Sequence, residues 1–306
     1  MNLFFLAAGL GTRLLPYTQF TPKPAIPFLN VPMGLYQFQY IPHLEVPISS
    51  FVINTHHLPK KIESLYSEQP YFKSVPPQFS FEPGQILGSA GAIKNAENLL
   101  TPNQPILLMN ADEVYFTDNL TFLNAMSAQH QQSNALATLA IIPHPKAGKK
   151  FGAIWCDGDS VRHIGKTCSD QTLKPWHYIG VCLLSWEMLS MIKPGIEQNI
   201  LYDTLFNQLN RVQTFKLEAD WFETGNNEDL LKTTEHVLTK LDSNDHLKRF
   251  INLYDPSDLI LSSLISRSHH IDINRLSGFN CISKSAEIKS ETVFENCIAF
   301  ADQIIK

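Results

Sequence analysis

The stretch FFLAAGLGTRLLPYTQFTPKP, residues 4–24, joins a short apolar run to two glycines, two cations and three prolines. Gly9 and Gly11 directly follow the apolar run, and glycine permits sharp turns and close approach of a ligand to backbone N–H groups. Arg13 and Lys23 can donate to phosphate oxygens. The stretch matches neither the G-x-G-x-x-G nor the G-x-x-x-x-G-K-[ST] fingerprint. It favours a loop that holds an extended triphosphate, and a tight turn with solvated charges is the alternative.

The composition is that of an ordinary soluble globular protein, with 306 residues, 44% hydrophobic residues, 17% charged residues and a net charge of −5. This length suits one α/β domain with an appendage, or two domains. No block rich in Lys and Arg is present, which argues against nucleic acid as a partner. No apolar run approaches the ~20 residues of a membrane span, and Met1 to Ala8 predicts a buried strand rather than an export signal.

The cysteine pattern favours free thiols. The five cysteines form no C-x-x-C pair and their number is odd, which argues against a zinc site and a disulfide framework. The expected location is therefore the reducing cytoplasm. The cysteines are Cys156, Cys168, Cys182, Cys281 and Cys297.

Short apolar runs alternate with longer amphipathic stretches up to about residue 142. Strands of this kind are typical of a sheet covered by helices on both faces. The alternation predicts an α/β fold with a Rossmann-like, mixed but mostly parallel sheet, whose ligands bind beyond the carboxyl ends of the strands. The predicted strands are 3–8, 50–54, 78–82, 106–109 and 135–142; the predicted helices are 35–44, 59–66, 90–100 and 120–132.

The pattern loosens after residue 145. A hairpin is predicted with Asp157-Gly158 at its turn, then a strand through WHYIGVCLLS, helices at 186–192 and 201–209, and short strands in VQTFKL and DWFET. The next helix is predicted with Asn226 as its N-cap. Trp221 and Phe222 are expected to be core residues, and no chemistry is assigned to His56 and His57.

The composition shifts again near residue 242. Residues 242–270 resemble a helical connector. After it, hydrophobic residues recur every five or six positions, which is compatible with two coils of a left-handed parallel β-helix or with a small β appendage without a repeat. These residues are Ile282, Ile288, Val293 and Ile298. We predict a catalytic domain over 1–242 and an assembly or regulatory appendage over 243–306.

The opening loop closely resembles the signature of the sugar-phosphate nucleotidyltransferases, also called nucleotide-sugar pyrophosphorylases. That signature is a strand, G-x-G-T/x-R, a stretch of leucine, proline and threonine, and P-K-P. The resemblance continues in the family's order through NTHHLPKKI, EPGQILGSAGAI, ILLMNADEVY, YIGVCLLS and WFETGNNEDLL. It implies the nucleotide-diphospho-sugar transferase fold and an enzyme of the EC 2.7.7 class.

The resemblance implies a nucleotide site at the loop and at the LGSAG segment. Arg13 and Lys23 would be the catalytic cations, with Lys23 neutralising the α-phosphate under attack. Glu82 would line the base and ribose pocket. The other nucleotide-binding positions would be Ala8, Gly9, Gly11, Thr12, Leu87, Gly88, Ser89 and Gly91.

The resemblance also implies a sugar-phosphate site and a Mg²⁺ site. The sugar-phosphate positions would be Asn110, Lys166 and Gly180. Asp112 would bind Mg²⁺, and Glu223 stands where the family normally has a second metal-binding aspartate. The additional methylene group matters because Mg²⁺ demands strict geometry, so Asp220 is an alternative ligand.

The implied reaction is in-line attack of a sugar 1-phosphate oxygen on the α-phosphorus of a nucleoside triphosphate, with pyrophosphate as leaving group. The nucleophile is already an anion, so positioning and charge neutralisation suffice. GTP or UTP is expected over dTTP or CTP. One reason is that a carboxylate such as Glu82 can accept from the N–H donors of guanine. The LGSAG segment also looks like that of mannose-1-phosphate guanylyltransferases and N-acetylmuramate-1-phosphate uridylyltransferases.

Two other functions stay open from the sequence. The chain could hold a nucleotide sugar as a regulatory subunit without turnover, or act as a phosphocholine cytidylyltransferase, for which a buried aromatic cage is expected. A homo-oligomer formed through 243–306 is also expected.

Overall fold

The computed structural model describes residues 1–69 and 74–306. By packing, these residues form two compact units that each gather several segments of the chain. Unit 1 consists of Met1–Gly9, Tyr40–Ala111 and Tyr115–Trp221, and unit 2 consists of Leu10–Gln39, Asp112–Val114 and Phe222–Lys306. The domain boundary predicted between residues 242 and 243 separates a catalytic part from an appendage. It divides the chain by role and not by packing, so it stays a prediction.

The described residues contain eighteen strands and five α-helices, joined partly by short 3-10 and π turns. The strands are β1 (Asn2–Leu6), β2 (Pro27–Phe28), β3 (Val31–Pro32), β4 (Ser50–Thr55), β5 (Gln78–Phe81), β6 (Ile106–Asn110), β7 (Val114–Phe116), β8 (Ala137–Ile142), β9 (Ala153–Asp157), β10 (Ser160–Gly165), β11 (Lys174–Leu184), β12 (Val212–Lys216), β13 (Asp220–Phe222), β14 (Ser257–Ile260), β15 (Ser263–Ser266), β16 (Leu276–Ile282), β17 (Phe294–Phe300) and β18 (Gln303–Ile305). The helices are α1 (Pro59–Ser67), α2 (Gly88–Asn95), α3 (Phe122–Ser133), α4 (Asn227–Leu241) and α5 (Asp245–Tyr254).

Unit 1 is built on one nine-stranded sheet in the order β5-β4-β1-β6-β11-β8-β12-β10-β9. β4, β1 and β6 are parallel neighbours, as are β4 with β5 and β8 with β12. β11 is antiparallel to β6, β8 and β9, and β10 is antiparallel to β9 and β12. Only β10 and β11 therefore run against the other seven strands, so the mixed α/β architecture predicted from the sequence is confirmed.

Helices cover both faces of this sheet. Phe4 and Phe5 are successive residues of β1, so their side chains point to opposite faces. Phe4 belongs to the buried cluster that includes Ile93 of α2. Phe5 packs edge-on against Tyr66 of α1, with ring centroids 5.7 Å apart. Continuous burial of β1 on both faces explains why its sequence is an uninterrupted apolar run.

Unit 2 contains α4, α5, the β2–β3 pair and a five-stranded sheet in the order β14-β15-β16-β17-β18. In that sheet β15, β16 and β17 are parallel, and the outer pairs are antiparallel. Asn226 accepts a hydrogen bond from the backbone N–H of Asp229, at 2.9 Å, and so caps α4 as the sequence predicts.

The expected helical connector is only half helical. α5 ends at Tyr254, and residues 257–266 form the β14–β15 hairpin. Pro256 explains the change, because a proline disfavours helical geometry in the residue before it and cannot donate to a helix ladder. The predicted helix at 35–44 is likewise divided into 3-10 segments, Met33–Gln39 and Ile41–His43, and the second of these contains Pro42.

The predicted hydrophobic repeat is displaced by one residue. Val293 is 60% exposed, whereas Phe294 is 1% exposed and packs in the core of the five-stranded sheet with Ile282 and Ile288. The spacing of these three core residues is therefore six. The sequence pattern predicted the β-branched Val293 as the core residue. β17 begins at Phe294, and the side chain of Phe294 points into the core instead.

The five cysteines are free thiols, and four of them are buried. Among the described residues, no helix combines the length and hydrophobicity that a membrane span requires.

Candidate functional site

In unit 2 we call residues 10–24 the cation loop, because they carry Arg13 and Lys23. The loop turns at Gly11, whose φ of 63° is left-handed. A Cβ atom there would lie 2.8 Å from Cγ2 of Thr18, and the Thr18 hydroxyl donates to the Gly11 carbonyl at 3.1 Å. Glycine is thus required at this position both by backbone angle and by space. Arg13 lies in the short 3-10 turn that follows and is exposed, as is Thr12.

Lys23 and Asp112 form an ion pair within unit 2. Nζ of Lys23 donates to Oδ2 of Asp112 at 2.7 Å, and the two side chains are 12% and 36% exposed. Lys23 opens a 3-10 turn after Pro22, while Asp112 follows the last residue of β6 by two positions. The structure thus brings together two residues 89 positions apart that were both predicted to handle phosphate or metal.

The segment Glu223–Asn226 contacts Asp112 and Arg13 through its two central residues, which the sequence left without a role. The Thr224 hydroxyl donates to the Asp112 carbonyl at 3.4 Å. A Cβ atom on Gly225 would lie 2.8 Å from a terminal nitrogen of Arg13. Glu223 itself is half-buried, and its carbonyl accepts from the Thr233 hydroxyl at 3.2 Å.

In unit 1 the predicted nucleobase residue Glu82 is fully buried. Its Oε1 accepts from Nδ2 of Asn54 at 2.6 Å, and its Oε2 accepts from the backbone N–H of Leu87 at 2.7 Å. Asn54 in turn accepts from the backbone N–H of Ala7 at 2.7 Å. This buried chain of hydrogen bonds joins the end of β1 to the segment before α2, and Asn54 is the member that sequence reading missed.

The LGSAG segment at the start of α2 packs against residues 196–200 of unit 1. A Cβ atom on Gly88, whose φ is 68°, would lie 2.5 Å from the Gln198 carbonyl oxygen. A Cβ atom on Gly91 would lie 2.6 Å from the Ile196 carbonyl oxygen. The hydroxyl of Ser89 accepts from the backbone N–H of Ile200 at 2.8 Å. These glycines allow close packing, so their presence does not by itself require a ligand.

The remaining predicted residues of unit 1 lie at strand ends and at one bulge. Asn110 ends β6 and pairs in register with Leu6 of β1, so the two strands end at one edge of the sheet. Lys166 is exposed directly after β10. Gly180 is buried with a φ of 75°, where the β11–β8 register shifts. Ala8 is buried and Gly9 is exposed, and a Cβ atom on Gly9 would meet no atom within 4 Å.

Four rings of unit 1 form a packed aromatic cluster. Centroids of His144, Phe151, His177 and Trp221 lie 4.3–5.6 Å from one another. His177 is 9% exposed, and neither of its ring nitrogens has a hydrogen-bond partner. Burial, together with the nearby His144, lowers its pKa from 6.5 to about 4, so the ring is neutral at pH 7.

Residues 4–240 match the nucleotidyl transferase family. A mannose-1-phosphate guanyltransferase of Debaryomyces hansenii is 27% identical over 277 residues, which are 84% of this chain and 72% of that protein. A glucose-1-phosphate adenylyltransferase of Bifidobacterium longum is 32% identical over 173 residues, which are 50% of this chain and 39% of that protein.

A solved UDP-glucose pyrophosphorylase from Acinetobacter baumanii superposes with a TM-score of 0.65 at 16% identity, over 82% of this chain and 97% of that one. At this identity the superposition shows the fold alone, and that fold is the one the motifs implied. The family match covers far more than half of the sequence, from β1 to the last turn of α4. The chain therefore belongs to the nucleotidyl transferase family.

Proposed function

We propose that this protein makes a nucleoside-diphosphate sugar and pyrophosphate from a nucleoside triphosphate and a sugar 1-phosphate. The observation that carries the proposal is the ion pair of Lys23 and Asp112, at 2.7 Å. The reaction joins two anions, so it needs a mobile cation for the α-phosphate and a carboxylate for a metal ion. The family match and the names of both curated relatives support the same class of reaction.

We assign the phosphate chemistry to the cation loop. Arg13 is exposed and binds the triphosphate as a fork, while Lys23 turns from Asp112 to the α-phosphate when substrate arrives. Lys23 then neutralises charge that grows during in-line attack, and pyrophosphate departs from the opposite side. The attacking sugar phosphate is ionised at neutral pH, so no general base is needed. Lys166 is proposed as its cationic partner.

The donor set fits Mg²⁺ when substrate supplies most of the ligands. Residues 1–69 and 74–306 contain no group of three His, Cys, Asp or Glu side chains suited to a metal ion. Mg²⁺ sites that act on phosphates commonly use one or two carboxylates and fill the remaining positions with phosphate oxygens and water. We propose Asp112 as the first carboxylate and Glu223 as the second. The ion would neutralise phosphate charge and fix the geometry of the triphosphate.

Glu82 is assigned a different task from the one its motif implies. Both oxygens already accept hydrogen bonds from Asn54 and Leu87, and the side chain is fully buried. We propose that Glu82 shapes the nucleotide pocket by holding the segment before α2. Recognition of the base then falls to backbone groups of that segment. GTP is the first triphosphate to test, because a relative is named as a guanyltransferase, and UTP is the second.

The aromatic cluster of unit 1 does not favour phosphocholine as substrate. A cage for a quaternary ammonium needs rings that stand apart with the cation between their faces. Here the His177 and Trp221 centroids are 4.3 Å apart, so the rings fill the space that a cage would leave open.

The C-terminal sheet has features of a short left-handed parallel β-helix, which we propose as its architecture. Leu264 pairs with Cys281 and Cys281 with Ile298, each 17 residues further along the chain. Asn280 donates to the hydroxyl of Ser263, so polar side chains also stack between strands. We further propose that the enzyme is cytoplasmic, in keeping with its free thiols.

One screen tests the proposal. Pyrophosphate release is measured for GTP, UTP, dTTP and CTP against a panel of sugar 1-phosphates and phosphocholine, with Mg²⁺ present. We expect release with GTP or UTP and a hexose 1-phosphate. Tight binding of a nucleotide sugar without release in any combination would instead identify a regulatory subunit, and release with CTP and phosphocholine would identify the cytidylyltransferase.

A further inference from the structure

The last strand of the chain lies against the cation loop in unit 2. Nε2 of Gln303 donates to the Tyr17 carbonyl at 3.3 Å, and its Oε1 accepts from the Thr21 hydroxyl at 3.0 Å. The Tyr17 hydroxyl donates to the carbonyl of Ile304, the next residue, at 3.1 Å. The Tyr17 ring also packs near Phe300, with centroids 6.5 Å apart. Residues near the very end of the chain therefore contact the middle of the loop.

These contacts fall between the two cations. Tyr17 follows Arg13 by four residues, and Thr21 precedes Lys23 by two. The backbone N–H of Thr21 donates to the Tyr17 carbonyl at 3.0 Å, which closes a turn, and Thr21 is 8% exposed. Gln303 thus holds both ends of one turn, and its amide can do so because it offers a donor and an acceptor side by side.

Other contacts that the loop makes within itself are short in range. The Leu14 N–H and the Thr18 hydroxyl both donate to Gly11, at 2.8 and 3.1 Å. Leu15 and Phe20 are 47% and 60% exposed. The loop is anchored at its ends by the buried Leu14 and by the ion pair of Lys23 with Asp112. Without Gln303, the stretch between these anchors would lose more conformational freedom on binding a triphosphate, and this loss weakens binding.

We propose that Gln303 is a positioning residue for triphosphate binding, acting through Tyr17 and Thr21 to hold Arg13 and Lys23 in place. The proposal rests on the proposed function of the cation loop. It also gives a specific task to part of the appendage, which was predicted to serve assembly or regulation, because its last strand is hydrogen-bonded to residues of the signature motif. Loss of Gln303 should therefore weaken triphosphate binding and leave the affinity for the sugar phosphate nearly unchanged.

The test uses the full chain with Gln303→Ala, and with Asp302→Ala, an exposed neighbour, as control. Two hydrogen bonds are lost in Gln303→Ala, so we expect KM for the triphosphate and its equilibrium Kd to rise about 3- to 10-fold. KM for the sugar phosphate should stay within about twofold, because the side chain of Gln303 bonds to Tyr17 and Thr21 of the cation loop, which is assigned to the triphosphate. Deuterium uptake by amides of residues 14–23 should rise in Gln303→Ala and not in Asp302→Ala.

A second variant covers the case in which Gln303→Ala does not fold. Thr21→Val keeps the shape of the side chain and removes only the bond to Gln303. It should give a smaller rise in triphosphate Kd, and the double variant should be no worse than Gln303→Ala alone. Independent, additive effects of the two substitutions would overturn the proposed link.

The outcomes separate this proposal from the proposed reaction. If wild type releases pyrophosphate and Gln303→Ala matches it in triphosphate KM and in deuterium uptake, the positioning role is wrong and the reaction stands. If wild type binds GTP without turnover and Gln303→Ala weakens that binding, the reaction is wrong and the positioning role stands. If wild type binds none of the four triphosphates, both are wrong.

Discussion

Unit 1 contains a buried hydrogen-bond network around Glu82, and unit 2 contains the ion pair of Lys23 with Asp112. The two arrangements differ in whether a ligand can replace their contacts. In unit 1 both oxygens of the Glu82 carboxylate accept from Asn54 and a backbone N–H, and none of the carboxyl group is exposed. In unit 2 the side chain of Asp112 is 36% exposed, and its carboxylate contacts the ammonium group of Lys23 at 2.7 Å. The first arrangement is complete without a ligand. The second consists of opposite charges that a metal ion and a polyphosphate can each replace.

The difference separates residues that build a pocket from residues that act on the substrate. Replacing a residue of the hydrogen-bond network around Glu82 leaves a buried polar group without its partner, so the free energy of unfolding should fall. Asp112 is the more exposed member of its ion pair, so replacing its carboxylate should change chemistry more than folding. Variants at both places test that separation.

Asp112→Asn should reduce the rate of pyrophosphate release at least about 10³-fold, because the neutral amide is a poor Mg²⁺ ligand and cannot hold Lys23 as an ion pair. The melting temperature should change little, since the substitution keeps the shape of a partly exposed side chain. Steady-state assays at saturating Mg²⁺ and a thermal scan measure the two effects. Near-normal activity would mean that Asp112 is not a metal ligand.

Glu223→Ala should lose most of the rate, at least about 100-fold, if this carboxylate is the second metal ligand, because loss of an outer-shell partner alone typically costs about 10- to 100-fold. Glu223→Asp should retain appreciable activity or raise it, because the shorter side chain restores the length that is usual at this position of the family. Asp220→Ala is the matched comparison. Equal activity in wild type and both Glu223 variants would transfer the proposed metal role to Asp220.

Gly225→Ala should raise triphosphate KM about 10-fold, because small misplacements of a binding group are costly. The new methyl group would lie 2.8 to 3.0 Å from the guanidinium group of Arg13, which must then move. In an Arg13→Ala background the same substitution should have no further effect on KM. A full additional loss in that background would show that Gly225 acts through something other than Arg13.

Glu82→Gln should lower the free energy of unfolding by about 1–3 kcal/mol. The new amide NH2 group would face either Nδ2 of Asn54 or the backbone N–H of Leu87, and because both of these are donors, one hydrogen bond would be lost. Urea denaturation measures the change, with the exposed Glu291→Gln as control. Unchanged stability together with altered preference among the four triphosphates would mean that Glu82 reads the base directly.

The sequence predicted the strands and the loop more successfully than the contacts that give them a role. Apolar runs identified β1, β4, β6 and β8 because continuous burial leaves a clear local pattern. The pairing of Asn54 with Glu82, or of Gly225 with Arg13, has no local pattern, because the partners are 28 and 212 positions apart in the chain. The helices expected at 35–44 and after residue 255 failed where a proline disfavours the helix, although that signal was present in the sequence.

The aromatic cluster of unit 1 supplies an effect that is negligible at neutral pH and appears only in acid. His177 is buried without a hydrogen-bond partner, and burial with the nearby His144 lowers its pKa from 6.5 to about 4. Between these values the unfolded chain binds the proton more readily than the folded one. The free energy of unfolding should therefore fall as the pH drops from about 6.5 toward 4.

His177→Phe keeps a ring of similar size and removes the titrating group. Its advantage in stability over wild type should be smallest near pH 7.5 and should grow as the pH falls to 4.5. Some pH dependence should remain in the variant, because burial also lowers the pKa of His130 to about 4. Urea denaturation of both proteins at pH 7.5, 6 and 4.5 measures the difference. The same difference at every pH would mean that His177 does not titrate in this range, and that its ring serves only to fill space among His144, Phe151 and Trp221.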